Sequence, residues 1–244
     1  MPNCLNFNAL SIGDKFYYVS DEIIEFVVET ISEEPPYTFI NNIKLLNDFS
    51  YGNGYYTTLS NAQDVLSERI RTKNYINGLI IKNTNIFNDF PKQGIIYEDL
   101  SPLFSNPIDL EKVLDVLDSF NAPYDKIVGL ESRGFILASV LSNITRKPFI
   151  MVRKKGKLPG DVYSTDYELE YGNATLQIQK GVINTGDKIL IIDDVLATGG
   201  SALAATHLVE MSGGEVINYN FISIVPGLEG LEKLNKIAKV VYGK

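Results

Sequence analysis

The stretch KILIIDDVLATGGS (188–201) runs four apolar residues directly into two adjacent aspartates, Asp193 and Asp194, and then into small, flexible residues. Such a run reads as a buried strand that ends by delivering two carboxylates. Ala197, Thr198, Gly199, Gly200 and Ser201 follow and lead into the helical pattern SALAATHLVEMS. Glycines at that point let backbone N–H groups converge, the helix N-terminus adds partial positive charge, and Thr198 and Ser201 add hydroxyl donors. That is a phosphate cradle. Two carboxylates would repel a bare phosphate, so they must face hydroxyl groups or a cation; a sugar phosphate with magnesium supplies both. The pattern therefore points to a ribose 5-phosphate site, with an ordinary strand-to-helix turn and a solvated acidic pair as the alternative. Neither the Walker A sequence nor the dinucleotide fingerprint G-x-G-x-x-G occurs.

The second candidate cluster is RKKGK (153–157), which gathers Arg153, Lys154, Lys155 and Lys157 around one glycine. In a chain of net charge −8 such a cluster should face an anion, although basic runs are more often solvated turns. Arg133 stands at the start of a helical pattern. Glu168 and Glu170 alternate with apolar residues as the exposed face of a strand would. His207, the sole histidine, sits mid-helix and reads as a surface or packing residue. The net negative charge argues against a nucleic-acid or anionic-membrane partner. A single cysteine, Cys4, leaves no disulfide framework or cysteine-rich zinc site. The opening MPNCLNFNAL lacks the form of a secretory leader, and no segment is long and apolar enough to span a bilayer, so a cytoplasmic location is expected.

The elements that would position these residues fall in two parts. Residues 1–72 read as a small, mainly β domain closed by a helix: IGDKFYYVSD and EIIEFVVETI are aromatic and β-branched, and Ser60 to Gln63 has the form of a capping box ahead of Leu66 and Ile70. Residues 73–244 alternate strand and helix from about Leu79, which predicts an α/β fold with a parallel sheet. Asn106-Pro107 opens a helix whose apolar stripe is Leu110, Val113, Leu114, Leu117 and Phe120. KIVGL (126–130), FILASVLSNIT and PFIMV (148–152) make a strand–helix–strand unit. YELEY and ATLQIQ predict a hairpin turning at Gly172-Asn173 before KILII returns the chain to the sheet, followed by VINYNFISIV.

IIDDVLATGGS resembles the phosphoribosyl pyrophosphate (PRPP) loop of type I phosphoribosyltransferases. Four further blocks, FPKQGIIYEDLSPLF (90–104), GLESRGF (129–135), VRKKGKLPG (152–160) and YELEYGNATLQIQKG (167–181), resemble the adenine phosphoribosyltransferase family in order and spacing. The resemblance covers about Leu79 to Lys236 and does not reach the N-terminal part. It implies a type I phosphoribosyltransferase-like parallel sheet flanked by helices with a hairpin hood. It also implies transfer of phosphoribose from PRPP to adenine, giving AMP and pyrophosphate in purine salvage, by a homodimer. Mg2+ is implied as cofactor, held mainly through PRPP and water. Residue by residue, the resemblance assigns PRPP binding to Arg153, Lys157, Asp193, Asp194, Ala197, Thr198, Gly199, Gly200 and Ser201. Catalytic roles fall to Arg133, Lys154 and Glu170. The base would meet Ile96, Tyr97, Glu98 and Glu170, with Ile95 beside them; a buried strand is the alternative for the apolar members. Two positions depart from the family pattern: Glu98 stands where a basic residue is usual, and Ile224 where many relatives carry an acid. The reversed charge leaves open another purine or nicotinamide as acceptor. A PRPP- or nucleotide-sensing regulator without turnover is a further alternative, against which the intact Glu170 and RKKGK block speak.

Overall fold

The computed structural model describes residues 15–19, 23–27, 31–34, 37–40, 43–46, 54–56, 59–169 and 172–244. Its contacts divide the chain into two units, Met1–Tyr75 and Ile76–Lys244. In the first, β1 (Lys15–Val19) pairs antiparallel with β2 (Ile23–Val27) and β6 (Gly54–Tyr56). Strands β3 (Ile31–Glu34), β4 (Tyr37–Ile40) and β5 (Ile43–Leu46) form a separate antiparallel sheet. Helix α1 (Leu59–Lys82) starts one residue before Ser60 and runs well past Thr72, so the division at Tyr75 falls inside it. The run Leu79-Ile80-Ile81 is therefore helical and not the start of the first strand of the sheet. Short apolar runs are ambiguous by composition; here Ile76 and Ile80, one turn apart, are the fully buried residues, whereas Ile70 is half exposed.

The second unit continues with a hairpin of β7 (Asn85–Asn88) and β8 (Ile96–Asp99), then α2 (Ser101–Phe104) and α3 (Pro107–Ser119). Asn106 caps α3 by accepting from the Asp109 N–H at 3.2 Å, with Pro107 in the first turn, as the Asn-Pro pair predicts. There follow β9 (Lys126–Leu130), α4 (Arg133–Thr145), β10 (Phe149–Lys154), β11 (Val162–Leu169), β12 (Gly172–Gln179), β13 (Lys188–Leu196), α5 (Gly200–Met211), β14 (Glu215–Ile224), α6 (Gly230–Asn235) and β15 (Lys239–Tyr242). They build a seven-stranded sheet in the order β11-β12-β10-β9-β13-β14-β15. Its β10 to β15 portion is parallel, and the β11–β12 hairpin adds antiparallel to β10. Gly172 and Asn173 are already paired, with Leu169 and Glu168, so they belong to β12 and are not the turn. β13 shows why the sheet is buried on both faces. Ile189 and Ile191 pack with Ala205 and Leu208 of α5 and Leu234 of α6, while Leu190 and Ile192 pack with Leu114 of α3, Leu137 of α4 and Ile80. That two-sided alternation turns the strand into a continuous apolar run.

Candidate active site

Because β10, β9, β13 and β14 run parallel, their C-terminal ends lie side by side, the place where open α/β sheets bind ligands. β13 carries Asp193 and Asp194 there and continues to Leu196, slightly beyond the pair. A cleft of about 100 Å³ opens at this end, lined by Asp193, Ala197, Thr198, Gly199, Ser201, and apolar Leu130 and Phe221. Gly200 is the first residue of α5, and Gly199 caps it at φ 81°, in the left-handed region that favours glycine. No side chain caps α5, so its first N–H groups face the cleft end of the helix without a competing acceptor from a cap.

The loop has a buttress that sequence reading missed. A Cβ on Gly230, at the start of α6, would collide with Ala197 O, and one on Gly199 would lie 3.2 Å from Gly230 Cα. Two backbones touch here, and only glycine permits it. Gly134 plays the same part on the other side: a Cβ there would sit 2.8 Å from Ile192 O and 2.9 Å from Asp193 Oδ1, so α4 begins directly against β13.

The carboxylates are not equivalent. Asp193 Oδ1 accepts from the Asp194 N–H at 2.9 Å. Burial pushes the Asp193 carboxyl well above the usual range, and the neighbouring Asp194 charge adds to it. Asp194 is also raised by burial, against the pull of Arg133, whose Nε lies 2.8 Å from Asp194 Oδ2. Arg133 reaches further. Its Nη1 donates to Tyr97 Oη at 3.2 Å, and its guanidinium lies 5.8 Å from the Tyr97 ring centroid. One side chain thus joins the end of β13 to the β8 hairpin.

The basic loop is organised by Glu131, a second residue not singled out from sequence. Glu131 pairs with Lys157, lies 3.6 Å from Arg153 Nε, and accepts from the Lys154 N–H at 2.9 Å. Burial works against its charge, but the Lys157 and Lys154 donors prevail and hold the carboxyl below its ordinary range. Arg153 Nη1 closes the loop on Lys157 O at 3.1 Å, and the Gly156 N–H donates to Gln177 Oε1 of β12 at 2.8 Å. Lys154, Lys155 and Lys157 are exposed. The only signal for Glu131 in the sequence is its place two residues before Arg133.

In the β7–β8 hairpin, Tyr97 packs edge-on against Phe90 at 5.0 Å. Ile95 and Ile96 are exposed, Ile96 by 69%, so they are not the interior of a buried strand. The Glu98 carboxylate accepts from Ser223 Oγ at 2.8 Å and pairs with Lys244 Nζ at 2.9 Å. Glu170 lies outside the described residues. His207 is exposed, 3.4 Å from Thr165 Oγ1. Among the described residues no group of three or more His, Cys, Asp or Glu side chains is arranged to hold a metal ion. None of the described helices is long and apolar enough to cross a membrane.

The described residues thus bring a glycine-built loop at the start of α5 beside a carboxylate pair at the end of β13, and hold a basic loop on Glu131 at the end of β9. Residues 111–241 match the phosphoribosyl transferase domain family, and the chain belongs to that family. The relatives it resembles within the family are adenine phosphoribosyltransferases. Over 150 residues the chain is 43% identical to that of Bifidobacterium longum, covering 60% of this chain and 78% of the relative. It is 46% identical over 149 residues to that of Mycoplasmopsis pulmonis, covering 61% and 88%. The crystal structure of the Saccharomyces cerevisiae enzyme, complexed with an imino-altritol bisphosphate and adenine, superposes with a TM-score of 0.65 at 38% identity, over 70% of this chain and 99% of that one.

Proposed function

We propose that the chain transfers the 5-phosphoribosyl group of PRPP to adenine, yielding AMP and pyrophosphate. The observation that carries this reading is Arg133, which touches both Asp194 at the ribose end and Tyr97 at the base end. A purine nitrogen forms a bond to the anomeric carbon as the bond from that carbon to the pyrophosphate oxygen breaks. The electron pair leaves with pyrophosphate, and the nitrogen's proton is released.

The 197–201 loop and the α5 N-terminus hold the 5-phosphate. Asp193 and Asp194 accept hydrogen bonds from the ribose hydroxyls, contacts that favour the charged carboxylates and offset the burial that raises them. Arg133, Arg153, Lys154 and Lys157 stabilise the charge that grows on the leaving group, where fixed cations act most strongly. Magnesium would enter with PRPP, Asp193 and Asp194 would face it by way of the ribose hydroxyls, and its charge would offset that growing on the leaving group. Ile95, Ile96 and Tyr97 form the wall for the flat base, and Glu170 takes or relays its proton. The segment 157–171 closes over the site and keeps water from PRPP. A cytoplasmic homodimer, with residues 73–244 catalytic and residues 1–72 an appended domain, completes the proposal.

The test is a base panel: protein, PRPP and magnesium with adenine, hypoxanthine, guanine, xanthine or nicotinamide, the nucleotide formed being read by chromatography. AMP from adenine alone supports the reading. Another nucleotide keeps the mechanism and reassigns the base, and PRPP binding without turnover favours a sensor.

A further inference from the structure

The reversed charge at Glu98 has a partner that the sequence pattern does not suggest. The hairpin of β7 and β8, which carries the wall for the base, forms its own two-stranded sheet and shares no ladder with the seven-stranded one. Its position therefore depends on packing and on side-chain ties. Arg133 supplies one, at Tyr97. A second is at Glu98. Ser223 of β14, 1% exposed, donates to Glu98 Oε2, and Lys244 pairs with Glu98 Oε1 at 2.9 Å.

Lys244 is itself held by backbone. Its N–H donates to Ile222 O at 3.1 Å, its carbonyl accepts from the Ile224 N–H at 2.9 Å, and the Gly243 N–H donates to Phe221 O at 3.2 Å. These bonds extend the β14–β15 ladder past Tyr242 and fix where the ammonium emerges. The Lys244 and Glu98 side chains are 20% and 28% exposed, so solvent screens the pair only in part. The negative charge at position 98 is thereby balanced from the main sheet. Ile224 is apolar and packs against the core cluster that contains Leu196 and Phe221.

We infer that Glu98 is a positioning residue that, through Ser223 and Lys244, ties the base-wall strand β8 to the β14–β15 side of the main sheet and so keeps Tyr97 seated on Arg133. The inference rests on the proposed reaction for its kinetic consequence. Glu98 acts through Tyr97 and not by touching the base. Installing a basic residue at position 98 then sets two cations against each other and weakens use of the base, whereas a charge swap restores it.

The experiment compares wild type with Glu98→Gln, Lys244→Met, Glu98→Lys, Lys244→Glu and the double variant Glu98→Lys/Lys244→Glu, all in the full chain. KM for the base that the wild type uses should rise roughly tenfold in each single variant, with KM for PRPP within about twofold, because a tie to the base wall acts on one substrate. The double variant should recover most of the loss. Hydrogen exchange over residues 85–99 reads the same tie without substrate: faster in the single variants, close to wild type in the swap. Unchanged base KM and unchanged exchange in Glu98→Gln and Lys244→Met would overturn the inference, as would a swap no better than Glu98→Lys. Wild type that makes no nucleotide would sink the proposed reaction instead, leaving the exchange data to decide the tie.

Discussion

Replacing Asp193 with Asn separates the effect of the proposed ribose site on stability from its effect on function. In the ligand-free protein the Asp193 carboxyl is raised by burial and by the charge of Asp194. A folded-state pKa above the unfolded value means that the native state holds the extra proton between the two. Stability therefore falls as pH rises from about 4 through the folded pKa, and the full penalty stands above it. Asn keeps the shape and the Oδ1 acceptor for the Asp194 N–H, 2.9 Å away, and removes the charge. Like charges on neighbouring side chains at an effective dielectric of about 20 repel by roughly a few kcal/mol. Arg133, 2.8 Å from Asp194, cancels part of this. A net gain of about 1 to 2 kcal/mol follows, or about 2 to 8 °C in Tm for a chain of this size. Thermal melts across pH, with and without PRPP and magnesium, measure it. The variant should melt above wild type at pH 8, the gap should narrow as pH falls toward 4, and both the PRPP-induced shift and turnover should vanish. A variant that melts lower at pH 8, or that still turns over PRPP, refutes the reasoning.

Gly230→Ala pushes a methyl group into Ala197 O and so displaces the 197–201 loop, the proposed phosphate cradle. Overpacking of about 1 to 3 kcal/mol predicts an order-of-magnitude or larger rise in KM for PRPP, with KM for adenine nearly unchanged in steady-state kinetics; equal KM values for PRPP would remove α6 as a buttress. Glu170→Gln should lower kcat more than it weakens PRPP binding, since a proton acceptor at the base acts on the bond-making step. Equal losses in both would assign Glu170 to binding.

What could be read from sequence was what local pattern determines. The strand–loop–helix at 188–211 announces itself because an apolar run, a glycine pair and a helical stripe follow one another in a single segment. Arg153, Lys154 and Lys157 stand out as a basic cluster in an acidic chain, and Arg133 is singled out only through the family resemblance. What escaped was nonlocal. Glu131 matters because β9 and β10 are neighbours, which brings it to the Lys154 N–H across the sheet. Gly230 matters because α6 abuts a loop more than thirty residues earlier. Lys244 lies 146 positions from Glu98, and only the β14–β15 ladder brings them together. The end of α1 and the turn of the β11–β12 hairpin were misplaced for a different reason. Leu79-Ile80-Ile81 and Gly172-Asn173 each suit two local structures, and tertiary packing and register chose between them.

The central claim is that one site joins the base to phosphoribose and releases pyrophosphate. Its most direct test is the stoichiometry of a single reaction of adenine, PRPP and magnesium with purified protein. AMP and pyrophosphate should accumulate one for one, with no ribose 5-phosphate from hydrolysis, if Arg133 and the basic loop act only when a base is seated. Pyrophosphate released without AMP, or no consumption of PRPP at all, would contradict it.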